Sequence, residues 1–448
     1  MIETCGRVPG ALPLVGHAAQ MLRDPLGFLS SLPGHGDLVG IRLGPLDVLV
    51  VCDPELTRQM LRDDRTFDKG GPLIDRAREV IGDGLGTCPH ADHRRQRGLT
   101  QPAFHPKRLP GYARTMTEQV GMVIGGWYDG QVVDVLAETT ALSMRITVAA
   151  IFATSLPPAV VDQTLEDFAA VVDGIFMRTL MPARLDALPT PGNRRYTKAC
   201  DRLRRTVGRI TDEYRADAAD HGDLLSVLVA ARDPDPAAPE GPGRSLSGEE
   251  ISDQAVTFLI SGTETTAALM AWTLHLLAQH PEIQRRVQDE VDTVLAGAAA
   301  THEHLPGLEL TGRVLTEALR IYPPVWIVTR EVTADTRLGR HLIPAGATLA
   351  YSPYLIHRRA DVHRDPGTFD PDRWTGAPDR TTFLPFGGGA RRCIGDTFAV
   401  TEATLAVAAI AARWHLHPVP GREVRPRPRT TLAPSGLHLR LAVRRTLS

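Results

Sequence analysis

The sequence predicts a mainly α fold with small β-sheets, an α+β arrangement in a single large unit covering residues 1–448. Three observations lead there. Helical patterns dominate from Pro54 to about Arg320. Strand-like runs fall mostly to either side of that block. No linker divides the chain, although its 448 residues would allow two or three domains by length alone.

Residues 1–20 read as a Pro/Gly-rich lead-in, followed by a short helix over about 21–33. Leu38–Leu43 and Asp47–Cys52 are strand-like, and Gly44-Pro45 between them is a hairpin signal. Residues 233–244, DPDPAAPEGPGR, read as an exposed loop. Ser247-Gly-Glu-Glu250 has capping-box spacing and opens a helix of about thirty residues that Pro281 ends. Strands are expected again at Val325–Val332, Arg337–Ile343, Thr348–Ser352 and Leu437–Val443, and no internal repeat appears.

Hydrophobic residues make up 43% and charged residues 23%, with net charge −2, which supports neither nucleic acid nor membrane-surface binding. The cysteines, five in number and scattered, contain no CxxC pair. That argues for a reducing compartment and against a disulfide framework or zinc site. No apolar run approaches the ~20 residues of a membrane span. The early acid and the prolines of the N-terminus do not resemble a secretory signal, so a cytoplasmic protein is expected.

The densest chemical signal is Phe386–Gly395, FGGGARRCIG. Glycines 387–389 permit close backbone approaches, and a helix-prone run from Thr397 puts Cys393 at a helix N-terminus, where a thiolate is favoured. Such a thiolate can serve as axial ligand to haem iron. A structural cysteine beside a glycine turn is the plain alternative. Within the long helix, SGTETT places Phe258, Ser261, Gly262, Thr265 and Leu269 on one face, with Glu264 adjacent in sequence. A threonine-rich buried helix bonding its own i−4 carbonyls would explain the same letters. His93 and Arg97 share a helix face, as do Glu317 and Arg320, although such pairs are commonly surface decoration.

Together these motifs resemble the cytochromes P-450, in that family's order and spacing over nearly the whole chain. The resemblance implies the triangular, mainly helical P-450 fold and a haem b cofactor with Cys393 as iron ligand, Phe386 and Gly387 lying in the haem-binding loop. It implies propionate binding by His93, Arg97, Arg330 and Arg391, and proton handling by Glu264 and Thr265. Ser261 departs from the usual alanine or glycine. TEALRIYPP matches the ExxR motif and FDPDRW the meander motif, so Glu317, Arg320 and Arg373 are expected to form a structural triad. Pocket walls are expected from Phe258, Leu259, Ser261, Val325, Trp326, Ile327, Val328 and Leu432, with Phe176, Met177, Leu180 and Met181 as a mobile lid; any of these could equally be plain core.

GALPLVGHAAQMLRDPLGFLSSLPGHGDLVGIRLGP and RRQRGLTQPAFHP are more narrowly similar to bacterial sesquiterpene hydroxylases. The activity implied is hydroxylation of an unactivated C–H with O2, a methyl group going to alcohol and on to aldehyde, in terpenoid antibiotic biosynthesis. Another terpene, a polyketide or a fatty acid are alternative substrates. A peroxygenase or isomerase, or a haem sensor, are remoter readings. The chain has no flavin fingerprint and no iron–sulfur cysteine set. Electrons are therefore expected from a ferredoxin and its reductase, docking on a basic patch of Arg94, Arg95, Lys107, Arg108 and Arg392, although a solvated face explains those charges too. A monomer is expected.

Overall fold

The computed structural model describes residues 5–152, 158–180, 186, 188–217, 219–233 and 245–444, without the side chains of 158–159, 161–162, 176–177 and 180. The expected loop from 234 onward, Met181, and the side chains of Phe176, Met177 and Leu180 thus lie outside the described residues.

Helices supply most of the chain. They are α1 (Ala18–Arg23), α2 (Pro25–Ser31), α3 (Pro54–Arg62), α4 (Pro72–Ile81), α5 (His90–Thr100), α6 (Leu109–Gly125), α7 (Val135–Ile151) and α8 (Pro158–Leu180). After them come α9 (Pro191–Asp217), α10 (Leu224–Ala230), α11 (Gly248–Gln279), α12 (Pro281–Leu295), α13 (Glu309–Ile321), α14 (Pro353–His357) and α15 (Asp396–Arg413). The single early helix expected over 21–33 is two, because Pro25 lacks the N–H that would continue α1 and Asp24 caps α2 by accepting from Gly27 N at 2.9 Å.

Three strands lie near the N-terminus, β1 (Gly6–Arg7), β2 (Leu38–Leu43) and β3 (Leu46–Val51), followed by β4 (Phe67–Asp68) and β5 (Val132–Asp134). After α13 come β6 (Val328–Val332), β7 (Thr336–Leu338), β8 (His341–Ile343) and β9 (Thr348–Tyr351). The C-terminal region adds β10 (Trp414–Pro418), β11 (Arg425–Pro428), β12 (Leu432–Ser435) and β13 (His438–Val443). The main sheet runs β1-β2-β3-β9-β6-β4, and β10-β13-β5 forms a second, smaller one. β2 and β3 pair antiparallel from Leu38↔Val51 to Leu43↔Leu46, across a turn in which Gly44 has φ +63°. Two expectations change in detail. The run Arg337–Ile343 folds back on itself as the β7–β8 hairpin, and the strand after Pro324 begins only at Val328.

α11 is the axis of the helical layer. Its capping box is closed both ways: Ser247 Oγ accepts from Glu250 N at 3.1 Å and Glu250 Oε2 accepts from Ser247 N at 2.7 Å. At 1.5 Å per residue its 32 residues reach about 48 Å. The helical core packs Leu259, Leu269, Met270 and Leu274 of α11 with residues of α6, α7, α9, α13 and α15. A second core lies under the main sheet and includes Trp326 and Leu432. Among the described residues no helix is long and apolar enough to cross a membrane.

Candidate active site and cofactor cavity

Between α11 and the loop before α15 lies a cavity of about 400 Å³. The loop is closed by a bond from Cys393 N to Phe386 O at 2.9 Å. Gly389, at φ +64°, lies so close to α3 that a Cβ there would sit 1.8 Å from the Leu61 carbonyl oxygen, so only glycine fits. Cys393 is accessible only into the cavity and is otherwise enclosed by protein. Burial pushes its thiol above the ordinary value, while the Gly395 N–H works the other way. α15 starts three residues on, and the N–H of its N-cap Gly395 favours the thiolate while Asp396 in its first turn opposes it.

Opposite the cysteine, α11 presents Phe258, Ser261, Gly262 and Thr265 to the cavity, in keeping with helical spacing. Thr147 of α7 lies behind Gly262, 3.4 Å from where a Cβ would be. The Thr265 hydroxyl donates to Ser261 O at 2.6 Å. Glu264 does not line the cavity; its Oε1 accepts from Thr431 Oγ1 at 2.7 Å. Enclosure by protein pushes its carboxyl up to about 7 despite that hydrogen bond.

Cations gather at the cavity wall. His93, Arg97, Arg330 and Arg391 all line it, and so does Lys69, which the motifs did not single out. Arg330 is 3% exposed and its Nη1 has no partner. Burial, then Arg330 and Arg391, bring the Lys69 amine down to about 7. Burial, then Arg391 and Lys69, take the His93 imidazole down to about 3, so near neutral pH it is uncharged and can only donate or accept hydrogen bonds. Arg391 is also held by the protein, with one N–H left on Nη2. Its Nε bonds Asp64 at 3.0 Å, its Nη2 bonds Asp68 at 2.7 Å and its Nη1 bonds Cys88 O at 2.8 Å, so every guanidinium nitrogen already has a protein partner.

This donor set fits haem: a cavity-facing thiol, a polar helix face opposite, and a buried guanidinium whose Nη1 is unpaired, with further cations suited to carboxylates. The residues that would hold it are Cys393, His93, Arg97, Arg330 and Lys69.

Val325, Ile327 and Val328 face the cavity, but Leu259, Trp326 and Leu432 do not. Leu259 is turned about 100° from Phe258 on the helix and is core. Trp326 donates its indole N–H to Arg429 O at 2.8 Å, and Leu432 is wholly buried in the sheet core while Thr430 of the same turn lines the cavity. Most of the remaining apolar wall was not foreseen: Leu73, Ile74, Ala77 and Ile81 of α4, and Ala150 and Ile151 of α7. The apolar i, i+1, i+4, i+8 spacing in α4 was the available signal.

Glu317, Arg320 and Arg373 meet beneath the loop. Arg320 Nε and Nη2 each bond Glu317 at 2.8 Å and Arg373 Nε bonds it at 2.9 Å, with Trp374 Nε1 also donating at 2.9 Å. Of the basic patch, Arg95 pairs with Glu250 of the capping box, Arg108 with Asp220 and Arg392 with Asp396.

Residues 7–440 match the family described as cytochrome P-450. The chain is 44% identical over 446 residues to pentalenene oxygenase of Streptomyces avermitilis, covering 98% of this chain and 97% of that protein. It is 44% identical over 423 residues to cyclooctat-9-en-7-ol 5-monooxygenase of Streptomyces melanosporofaciens, covering 93% and 91%. The fold matches the crystal structure of the cytochrome P-450DA haem domain with TM-score 0.88 at 28% identity, over 99% of each chain.

Proposed function

The chain belongs to the cytochrome P-450 family, and from that premise we propose that this haem-thiolate monooxygenase oxidises a compact apolar terpene. The observation that carries the reading is the cavity wall. Leu73, Ile74, Ala77, Ile81, Ile151, Phe258, Val325 and Ile327 offer a hydrocarbon-lined space, while the cations form one cluster close enough to shift one another's protonation. The cations cluster together and the side chains named above are all apolar, so a hydrocarbon suits that part of the wall better than a fatty acid head group. Transfer of apolar area from water then drives binding, at about 25 cal/mol per Å². Equal identity to enzymes named for pentalenene and for a cyclooctatenol supports a cyclic terpene. Within that class our reading is a pentalenene-like sesquiterpene, oxidised at a methyl group to alcohol and on to aldehyde, in terpenoid antibiotic biosynthesis.

When bound, haem supplies the electron chemistry that puts one oxygen atom of O2 into a C–H bond. In this reading Cys393 is the iron ligand, and His93, Arg97, Arg330 and Lys69 seat the carboxylates. Apolar side chains orient the substrate and exclude water. The hydroxyls of Ser261 and Thr265 face the cavity, and the Thr265 oxygen, already donating to Ser261 O, keeps lone pairs to accept from a water. Glu264, its carboxyl raised to about 7 by enclosure, is held by Thr431 away from that helix face and exchanges protons with it only after turning inward. Reductant arrives on a separate ferredoxin, recharged by its reductase. Arg94 and Lys107 then matter more to docking than the three arginines already paired with acids.

The test is a binding titration of the holoenzyme with sesquiterpenes and with fatty acids, read from the haem absorbance, alongside mass spectrometry of turnover products. Sesquiterpenes should shift the spectrum and yield alcohol then aldehyde. Tight binding by fatty acids alone would sink the reading.

A further inference from the structure

The acid of α11 is turned away from the face that carries Thr265. Glu264 accepts from the hydroxyl of Thr431, in the turn between β11 and β12, at 2.7 Å. Thr431 is 4% exposed, and its carbonyl accepts from Arg429 N at 3.0 Å, so the backbone fixes the turn independently of the side chain. From the same turn Arg429 pairs with Asp173 of α8, whose carboxylate is 62% exposed. A surface ion pair, a buried threonine and the helix acid thus lie next to one another, outside the wall formed by Ser261 and Thr265.

We infer that Thr431 is a positioning residue: its hydroxyl holds the Glu264 carboxyl outward, beside the Asp173–Arg429 pair, where protons from solvent can reload it. The inference rests on the proposed proton role of Glu264 for its functional meaning, but the hold itself is a separate statement. A fixed outward acid cannot at once serve the cavity face, so release from Thr431 precedes each inward delivery, and the hydroxyl sets both the direction and the protonation of the acid. The charged groups that act on Glu264 among the described residues are Asp173 from α8, which raises its carboxyl, and Arg429 from the turn, which lowers it. The Thr431 hydrogen bond favours the carboxylate.

The experiment uses the holoenzyme and four variants: Glu264→Gln, Thr431→Val, Thr431→Ser, and the double variant Glu264→Gln/Thr431→Val. The infrared band of the protonated Glu264 carboxyl, assigned by its loss in Glu264→Gln, is titrated with pH. Thr431→Val should raise its midpoint by about one pH unit, the size of one hydrogen bond to a charged group. Thr431→Ser should keep the wild-type midpoint. Product formed per NAD(P)H, measured across pH, should move in parallel, and Thr431→Val should add nothing in the Glu264→Gln background. An unmoved midpoint in Thr431→Val, or a serine variant that behaves like valine, overturns the inference. A moved midpoint with an unmoved coupling profile upholds the hold by Thr431 and instead overturns the proton role of Glu264.

Discussion

Arg320 and Arg330 lie ten residues apart and are both buried, yet their surroundings are opposites. Arg320 is wholly buried, and its three nitrogens bond Glu317 and the carbonyls of His357, Pro366 and Thr368. Arg330 is 3% exposed and leaves Nη1 without a partner. Burial lowers its guanidinium from the ordinary value. The first arginine belongs to a closed network and the second keeps an open valence toward a cavity. Since leaving a buried charge unmatched is costly, the open one marks where a ligand completes the protein.

Breaking the closed network should have the largest effect. Glu317→Ala leaves Arg320 buried and uncompensated, and should cost about 3–5 kcal/mol in urea unfolding. Burial alone would raise the Glu317 carboxyl, but Arg320 and Arg373 hold it below its ordinary value. Its contribution is therefore present above the unfolded carboxylate range and lost as pH falls through the folded value.

Glu402 of α15 sharpens the contrast from the other side. It is fully buried, neither oxygen has a partner, and burial pushes its carboxyl up to about 8. Ser143 is near enough to act on it but donates to Gly262 O at 3.4 Å. The sign is reversed here: stability is fully present below the ordinary value of 4.5 and is lost as pH rises towards 8. Glu402→Gln should therefore raise thermal stability increasingly with pH, by up to about 3 kcal/mol at neutrality. A gain that does not grow with pH would show that Glu402 is ionised at no cost.

For Arg330→Leu the comparison predicts a split result. Removing a buried cation with an unmatched N–H should not destabilise the apo-protein and should stabilise it by about 1 kcal/mol or more. Haem retention, measured by transfer to a haem-scavenging protein, should weaken roughly ten- to hundredfold. Loss of apo-protein stability as large as that of Glu317→Ala would place Arg330 in a closed network after all.

The smallest structural change is Thr265→Ala, which substitutes a good helix former and should alter stability by about 0.5 kcal/mol or less. Its effect belongs to turnover: product per NAD(P)H should fall with more hydrogen peroxide released, and Ser261→Ala/Thr265→Ala should lower it further. Unchanged coupling in both would make Thr265 a helix residue only.

Local periodicity determined much of this protein. Helix period puts Glu317 within reach of Arg320 and lines up Phe258, Ser261 and Thr265, while the capping box marks where α11 begins. These features depend on neighbours within a turn or two, so spacing suffices. A period says which residues share a face but not what lies opposite, and there tertiary structure decided. It turned Glu264 toward Thr431, 167 residues away, and gave Arg391 to Asp64 and Asp68. It also made Lys69 a wall of the cavity and α4 its apolar side. Burial shifts the protonation of Glu264 and Lys69, and burial is a property of segments distant in the chain packed together, which no local pattern contains.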